Sequence, residues 1–403
     1  MEKIQNQKHT KETLYYSISR MFERASYYGF RAIVVLYMIG ETLKMETNEA
    51  ISIYGWFTAS ILLSQIVGAL LGDLLIGNKK SIIIGGVIQA MGAFTLCIPS
   101  TTGLYLGLFL VVLGSGFFSP NIISNFGKLY LDKTKLLDSG FTLFYLAINL
   151  GSFWGIVLIG YLGEQYGYNW GFSISGILML ISIIPILLSK EKRWDKVEKN
   201  EFTLSKKVLN ISIAFIVVAL FWGFNELSGI RKYDLQIQLS EISPTIPHYL
   251  WELSQSIFTL SISVILIILW TYFYSNQFVK LMLGFIWGAL AFGMILLIPE
   301  VPTEQHVLPF FISLLLLAIS EIHIAPIIHS VLTKYSNPKY LAILISLTFL
   351  PIRSILFIFS FYDNLFYGKP FFGLKIGIVG MSIVGIGLIL YLIIQKKMRQ
   401  KHL

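Results

Sequence analysis

The chain has 403 residues, of which 55% are hydrophobic and 13% are charged, and its mean hydropathy is +0.71. This composition excludes a soluble domain of this length and indicates an integral membrane protein. The formal net charge of +9 therefore concerns orientation in the bilayer rather than nucleic-acid binding. The single cysteine excludes an intramolecular disulfide and a cysteine metal cluster.

Hydrophobic segments account for most of the chain. The first twelve residues are polar and lack the apolar core of a cleavable signal peptide, so the first helix is expected to act as an uncleaved insertion signal. A membrane-spanning helix needs about 20 largely apolar residues. Twelve segments predict an all-α membrane protein with twelve transmembrane helices, at approximately 15–39, 51–76, 81–99, 104–130, 139–163, 169–189, 208–229, 248–274, 279–298, 306–333, 340–361 and 372–395.

One connection, 190–207, is conspicuously charged and divides the segments into two bundles of six helices. The predicted organisation is an N-terminal bundle over 1–189, this basic linker, and a C-terminal bundle over 208–403. Lysine and arginine concentrate at the termini, in the linker and in alternate connections, so both termini are expected on the cytoplasmic side of the inner membrane. The connection Arg231 to Pro247 is expected on the outer surface. Two such halves favour a rocking transporter with its site near the midplane between them.

The first segment carries charges part-way into the membrane. Arg20, Glu23 and Arg24 have helical spacings of three and four, which place them on one face, and Tyr27 continues that face. Charged groups at such a depth face a cavity or one another. A functional cavity is favoured for Glu23 and Arg24, and a cytoplasmic collar of snorkelling side chains is the alternative for Arg20.

The turn between the second and third segments combines an acid with two bases. Residues 68–80 read GALLGDLLIGNKK, and this order resembles the helix 2–3 signature of the major facilitator superfamily. The resemblance implies a cytoplasmic latch formed by Asp73, Lys79 and Lys80. An ordinary basic loop is the alternative.

Three further motifs carry a more specific resemblance. They read ERASYYG at 23–29, SPNIISNFGKLY at 119–130 and FYLAINLGS at 144–152. Together they resemble the proton-dependent oligopeptide transporter family, which has Glu-Arg-Phe-x-Tyr-Tyr-Gly, Pro-Asn-Ile and Phe-Tyr-x-x-Ile-Asn-x-Gly at these places. The resemblance covers about residues 13 to 190 and is weaker, but recognisable, in the second half.

The resemblance implies a substrate site and alternating access without a cofactor or a metal. Arg24 would hold the substrate carboxylate, Asn149 would contact the peptide backbone, and Glu321 would meet the amino end. A guanidinium suits this role because it recognises carboxylates in a bidentate manner. Helix–helix hydrogen bonding is the alternative for Asn149, and interhelical packing is the alternative for the tyrosines. The remaining members of the implied substrate-binding set are Tyr27, Tyr28 and Gln255, the last at a position where asparagine is usual.

Three positions depart from the family pattern. Arg20 replaces the first glutamate, Ser119 replaces the lysine of the fourth helix, and Asn225 stands at the seventh-helix glutamate, with Glu226 next to it. One interpretation is that a positive charge has moved from the fourth helix to the first.

Proton coupling is the function that these departures affect. Two flanking arginines favour the ionised form of Glu23, and a carboxylate held ionised is a poor reversible proton carrier. We therefore hypothesise that Glu23 is mainly a structural partner of the arginines. Coupling would then be weakened or would move to Glu226, Glu321 or His323, although His323 also fits a packed side chain.

Arg353 is an unexpected charge near the middle of the eleventh segment, beside Pro351, which is expected to open the helix. Its candidate counter-charges are Glu321, Glu252 and Glu226. A structural ion pair and a substrate contact both remain open. Capture of Glu321 would compromise the amino-end pocket and favour a different anionic substrate. The predicted charge network comprises Arg20, Glu23, Glu226 and Arg353.

These features predict a secondary transporter and not an enzyme. The expected activity is proton symport of di- or tripeptides by a monomer embedded in the lipid bilayer, with no nucleic-acid partner. One alternative is an importer or exporter of another carboxylate-bearing metabolite with altered or absent proton coupling. The other is a non-transporting sensor built on the same scaffold.

Overall fold

The computed structural model describes residues 2–3, 7–190, 202–360 and 369–401, and these residues are predominantly helical. The two short strands are β1 (Glu2–Lys3) and β2 (Phe273–Tyr274). The helices are α1 (Lys11–Ile39), α2 (Thr47–Leu71), α3 (Asn78–Thr95), α4 (Thr101–Lys128), α5 (Leu137–Tyr166), α6 (Tyr168–Leu188), α7 (Leu204–Ile242), α8 (His248–Tyr272), α9 (Gln277–Leu296), α10 (Val307–Tyr335), α11 (Leu341–Leu347), α12 (Phe349–Ser360) and α13 (Pro370–Lys401).

The helices follow the order of the twelve predicted segments, with one division. The eleventh segment forms two helices, α11 and α12, separated by a turn at Thr348. Pro351 has no N–H to donate to the carbonyl of Leu347, four residues earlier, which accounts for the interruption. Within the described residues, ten helical stretches are long and apolar enough to cross a membrane. The charged α1 and the shorter α3 fall outside that set.

The chain divides into two compact units. The N-terminal unit comprises Gln7–Thr203 and Leu332–Leu347. Within it α1 packs along α5 and α6, α3 packs on α4 and α6, and α2 packs on α4. Aromatic side chains fill the space between these helices, with Phe30, Tyr37 and Phe172 almost completely buried.

The C-terminal unit comprises Met1–Asn6, Leu204–Val331 and Thr348–Leu403. Its helix α13 packs on α7 and α9, and α12 packs on α7. The two strands pair in antiparallel orientation, with Glu2 opposite Tyr274. A short β-ladder thus joins the start of the chain to the connection between α8 and α9.

The division between the units differs from the predicted one in two places. The N-terminal unit ends at Thr203, inside the predicted linker, and 191–201 of that linker lie outside the described residues. Leu332–Leu347 belongs to the N-terminal unit although the sequence placed it in the C-terminal bundle. It does so because α11 packs on α2 and α4, an association between segments far apart in the sequence. The predicted outer connection after the eleventh segment lies almost entirely outside the described residues.

The segment from Arg231 to Pro247 is not the long connection that the sequence predicted, because most of it is helical. Helix α7 continues to Ile242, and both Arg231 and Lys232 are buried. The guanidinium of Arg231 donates a hydrogen bond to the carbonyl of Pro299 at 2.7 Å. Buried polar groups are tolerated when distant segments supply their partners, and the sequence alone does not show those partners.

Helices α1 and α5 approach each other closely through two glycines. A Cβ atom at Gly151 would overlap the carbonyl of Met21, and one at Gly155 would overlap the carbonyl of Ala25. Small residues permit such backbone contact between membrane helices. The contact fixes the position of the charged part of α1 along α5.

Candidate functional site

Four polar residues form a compact arrangement that we call the arginine cluster: Arg20, Glu23 and Arg24 of α1, and Ser119 of α4. Glu23 is completely buried, and its carboxylate accepts three N–H groups. Arg20 donates to Oε2 at 3.0 Å, and Arg24 donates to Oε2 at 2.7 Å and to Oε1 at 2.5 Å. Charge-assisted bonds therefore occupy both oxygens. Arg20 is buried and does not belong to a snorkelling collar.

Ser119 connects the two arginines. Its hydroxyl oxygen lies 3.1 Å from Nη1 of Arg20 and 3.3 Å from Nη2 of Arg24, and it accepts from both. A lysine at this position would bring an ammonium against two guanidiniums. The positive charge of the cluster thus comes from α1 alone.

A pair of tyrosines extends the cluster along α1. The guanidinium of Arg24 lies 4.7 Å from the ring centre of Tyr27 and 5.6 Å from that of Tyr28. Arg31 lies at 5.5 Å and 5.7 Å from the same two rings, and its Nε donates to the hydroxyl of Tyr54 at 2.6 Å. Cation–π contact holds guanidiniums on ring faces, so the tyrosines lie between two cations.

Arg31 and Tyr54 were missed by the sequence reasoning. The signal for Arg31 was available, because a residue seven positions after Arg24 lies two helical turns further along the same face. The signal for Tyr54 was not, since it comes from a different helix. The Arg24 side chain retains 11% exposure, and a cation held in this way can bind a carboxylate.

Asn149 lies on α5 and is half-buried. Its side-chain amide donates to the carbonyl of Tyr145, in its own helix, at 2.8 Å. Over the described ranges it forms no hydrogen bond to another helix, and its side-chain oxygen is left for another donor.

A second group of hydrogen-bonded polar residues, the lysine–glutamate network, comprises Lys232 of α7, Gln255 of α8 and Glu321 of α10. Gln255 donates through Nε2 to Oε1 of Glu321 at 3.0 Å. Lys232 donates to Oε1 of Gln255, also at 3.0 Å. The amide orientation is determined by its neighbours, because a flip would place its NH₂ group against the ammonium and its oxygen against the carboxylate. Lys232 is 7% exposed and Glu321 is 9% exposed.

Sequence reasoning found two members of this network and missed the third. Gln255 and Glu321 lie in apolar segments, where a polar residue is rare and indicates a candidate site. Lys232 follows an apolar segment beside another base, a position typical of a loop. Only the continuation of α7 brings it to Gln255.

Two of the predicted partners of Arg353, Glu226 and Glu321, do not pair with its side chain in the described structure. Arg353 and Glu226 are both exposed, and no described carboxylate lies within 4.0 Å of the Arg353 guanidinium. Glu321 is engaged by Gln255. The side chain of Glu252 lies outside the part that the structure describes.

His323 is a packed histidine. Its Nδ1 donates to the carbonyl of Ile319 at 2.7 Å, and its ring meets that of Trp270 edge-on at 5.3 Å. It lines a cavity of about 630 Å³ at the start of α9, together with Lys280 and Asn276.

Asp73 is the centre of the predicted latch. Its carboxylate accepts from Nδ2 of Asn78 at 2.9 Å and from the backbone N–H of Ile343 at 3.0 Å. The ammonium of Lys128 lies 3.8 Å away. These contacts join the end of α2 to α3, α4 and α11 within the N-terminal unit.

The two lysines of the predicted latch do not bond to Asp73. Lys79 donates to the carbonyl of Ser189 at 2.7 Å, at the end of α6, and Lys80 is exposed. The basic residue next to Asp73 is therefore Lys128. Sequence reasoning did not select it for this role.

Comparison with known proteins gives a consistent result. The model of the POT family matches residues 79–271. The uncharacterized transporter YclF of Bacillus subtilis is 31% identical over 237 residues, covering 57% of this chain and 48% of that protein. A di-/tripeptide transporter of Lactococcus lactis is 29% identical over 217 residues, covering 51% and 44%. The chain thus spans about half the length of the curated relatives that it matches.

The fold extends over nearly the whole chain. A crystal structure of a POT family transporter in complex with a thioalcohol-conjugated peptide superposes with a TM-score of 0.65, at 20% identity, covering 96% of this chain and 97% of that chain. This similarity confirms the predicted all-α transporter fold. The family model, the relatives and the motifs of α1, α4 and α5 agree in the similarity of this chain to the POT family.

Proposed function

We propose that the chain is a secondary transporter of di- and tripeptides that works by alternating access with proton coupling. The observation that carries this proposal is the position of Arg24. Glu23 and Ser119 hold its guanidinium, Tyr27 covers one face, and part of it remains exposed. A fixed guanidinium binds a carboxylate well because little conformational freedom is lost on binding. The names of the matched Lactococcus and Yersinia relatives support peptides as the substrate.

The proposed binding set follows the same chemistry. Arg24 holds the substrate carboxylate beside Tyr27 and Tyr28, whose rings pack edge-on at 5.4 Å. The side-chain oxygen of Asn149 accepts from a peptide N–H. The carboxylate of Glu321, positioned by Gln255, faces the amino end.

The proposed setting is the inner membrane, with the chain crossing it many times as a monomer and both termini cytoplasmic. The basic termini and connections support this orientation. The β-ladder between β1 and β2 agrees with it, since β2 lies in a connection expected on the same side as the N-terminus.

Proton coupling is proposed to depend on carboxylates other than Glu23. Three N–H donors from two arginines occupy that group, so its protonation would break the arginine cluster. Glu226, which is exposed, and Glu321, which has one direct hydrogen bond in the described structure, are better placed to exchange protons. The packing of His323 argues against a relay there.

The test is uptake of a labelled dipeptide into proteoliposomes that contain the purified protein. Arg24→Lys keeps the charge and removes the bidentate geometry, so we expect uptake to fall at least about tenfold, equivalent to about 1.4 kcal/mol. Lys11→Gln, which removes an exposed cation from the same helix, should leave uptake unchanged. Binding without flux in the unaltered protein would instead support a sensor.

A pH gradient tests the coupling. With an inward proton gradient we expect accumulation that survives in Glu23→Gln, provided that this variant folds with a native melting temperature. Full coupling that disappears in a folded Glu23→Gln protein would contradict the structural role of Glu23.

A second candidate is a carrier of another carboxylate-bearing metabolite. It is favoured by the charge balance of α1, in which three arginines accompany one buried glutamate. Such an excess suits an anion better than a zwitterion.

A further inference from the structure

The lysine–glutamate network contains a feature that the binding set does not use. Lys232 is buried, and its ammonium reaches Glu321 through a single amide, that of Gln255. The ammonium of Lys232 also lies 4.5 Å from the ring centre of Tyr233. A buried carboxylate therefore already has a cation of this chain at its side.

A substrate ammonium that approached Glu321 would meet two opposing charges. The carboxylate attracts it, and the ammonium of Lys232 repels it. At comparable distances the two contributions nearly cancel, whereas a carboxylate without a neighbouring cation would attract the substrate ammonium at full strength. In a partly buried site this difference corresponds to at least about tenfold in affinity.

Gln255 strengthens the effect. Its NH₂ group donates to Glu321 and its oxygen accepts from Lys232. The hydrogen bonds of the network run in one direction, and one carboxylate oxygen of Glu321 is already engaged. A new ammonium would have to share this carboxylate or displace the amide.

We propose that Lys232 acts as a built-in substitute for the substrate's ammonium at Glu321, so that the transporter prefers peptide-like carboxylates whose amino end carries no free ammonium. N-acylated amino acids and N-acylated short peptides belong to this class. The inference rests on the proposed function, since it assumes that Glu321 faces the amino end of the substrate. It makes Lys232 a specificity-determining residue.

The test compares two ligands of nearly the same shape. Alanylalanine carries the ammonium, and N-propionylalanine replaces it with hydrogen. Binding to the purified protein is measured by isothermal titration calorimetry at pH 7. The ammonium of alanylalanine loses its hydration on entering this site without a net electrostatic gain, so we expect the unaltered protein to bind N-propionylalanine at least about tenfold more tightly than alanylalanine. This comparison needs no variant and does not depend on any mutant folding.

Two variants connect the preference to Lys232. Lys232→Met keeps the length of the side chain and removes its charge, and should shift the affinity ratio toward alanylalanine by about tenfold or more. Lys232→Arg keeps the charge and should retain the original ratio. If Lys232 had only a structural role, its substitution would weaken the binding of both ligands to the same extent.

The outcomes separate the two proposals. Binding of both ligands with equal affinity, tighter binding of alanylalanine, or an unchanged ratio in Lys232→Met overturns the role of Lys232 and leaves the proposed transport of peptides standing. Binding of neither ligand overturns both.

Discussion

The relocated charge of the arginine cluster gives a prediction that can be worked out in some detail. The perturbation is Ser119→Lys, which restores the residue that the family resemblance places on this helix. In the structure the Ser119 hydroxyl lies 3.1 Å from Arg20 and 3.3 Å from Arg24. A lysine in that space brings a third cation to two guanidiniums that share one carboxylate, that of Glu23.

The magnitude follows from Coulomb's law. Two unit charges about 4 Å apart interact with about 4 kcal/mol at an effective dielectric constant of about 20. Two arginines would repel the ammonium by about 8 kcal/mol, and Glu23 would recover about half of that. The net repulsion is then about 4 kcal/mol. The lysine side chain can turn away from the arginines and so reduce this repulsion. We therefore expect Ser119→Lys to cost about 2–4 kcal/mol of stability.

A charge-conserving double variant should rescue this loss. Arg20→Met combined with Ser119→Lys keeps the charge of the cluster while moving it from α1 to α4. It should be more stable than Ser119→Lys alone, and the cycle of single and double variants should give a coupling energy of about 2 kcal/mol or more. Ser119→Met, of similar length and without charge, controls for size.

The assay is the melting temperature of the purified proteins in one detergent at pH 7. A change of 1 kcal/mol corresponds to roughly 1–2 °C in a chain of this size, so Ser119→Lys should melt several degrees below Ser119→Met. Equal losses in these two variants, or a double variant no more stable than Ser119→Lys, would refute the electrostatic reasoning.

Two further predictions concern packing and pH. Gly155→Ala should cost about 1–3 kcal/mol, because its methyl group meets the α1 backbone, whereas Gly160→Ala in the same helix has open space and should be neutral or stabilising; equal melting temperatures would contradict this. Burial and the charge of Lys133 lower the pKa of His9, whose ring bonds to the hydroxyl of Tyr130 at 2.8 Å. The stability that depends on an uncharged His9 should therefore be complete above about pH 6.5, the ordinary pKa of histidine, and decline below it. His9→Gln should show a smaller fall in melting temperature between pH 7.5 and 5.5, and an identical fall would refute the assignment.

Much of the helical framework could be predicted because the bilayer imposes a simple rule. Apolar segments of sufficient length predicted the order of the helices, and the spacing of Arg20, Glu23 and Arg24 predicted that they share a buried face. The interaction of Glu23 with both arginines also followed from the sequence, since residues three positions apart or adjacent are close in any helix.

Contacts between distant segments could not be predicted in the same way. Lys232 looked like a loop residue because its partner, Gln255, lies on another helix. Lys128 lies 50 positions from Asn78, to which it donates at 2.6 Å, and no local pattern relates them. The association of α11 with the N-terminal unit likewise depends on packing that hydropathy does not report.

The glycine contact between α1 and α5 has a mechanical consequence. Sliding α5 along α1 by one helical turn, about 5.4 Å, would place Ala147 or Ile159 against an α1 carbonyl at which a Cβ atom has no room. We therefore expect the two helices to move together during a conformational change. A displacement of α1 at Arg24 should therefore move the whole of α5. Changes in conformation should come instead from side-chain rotations and from helices that lack such a backbone contact.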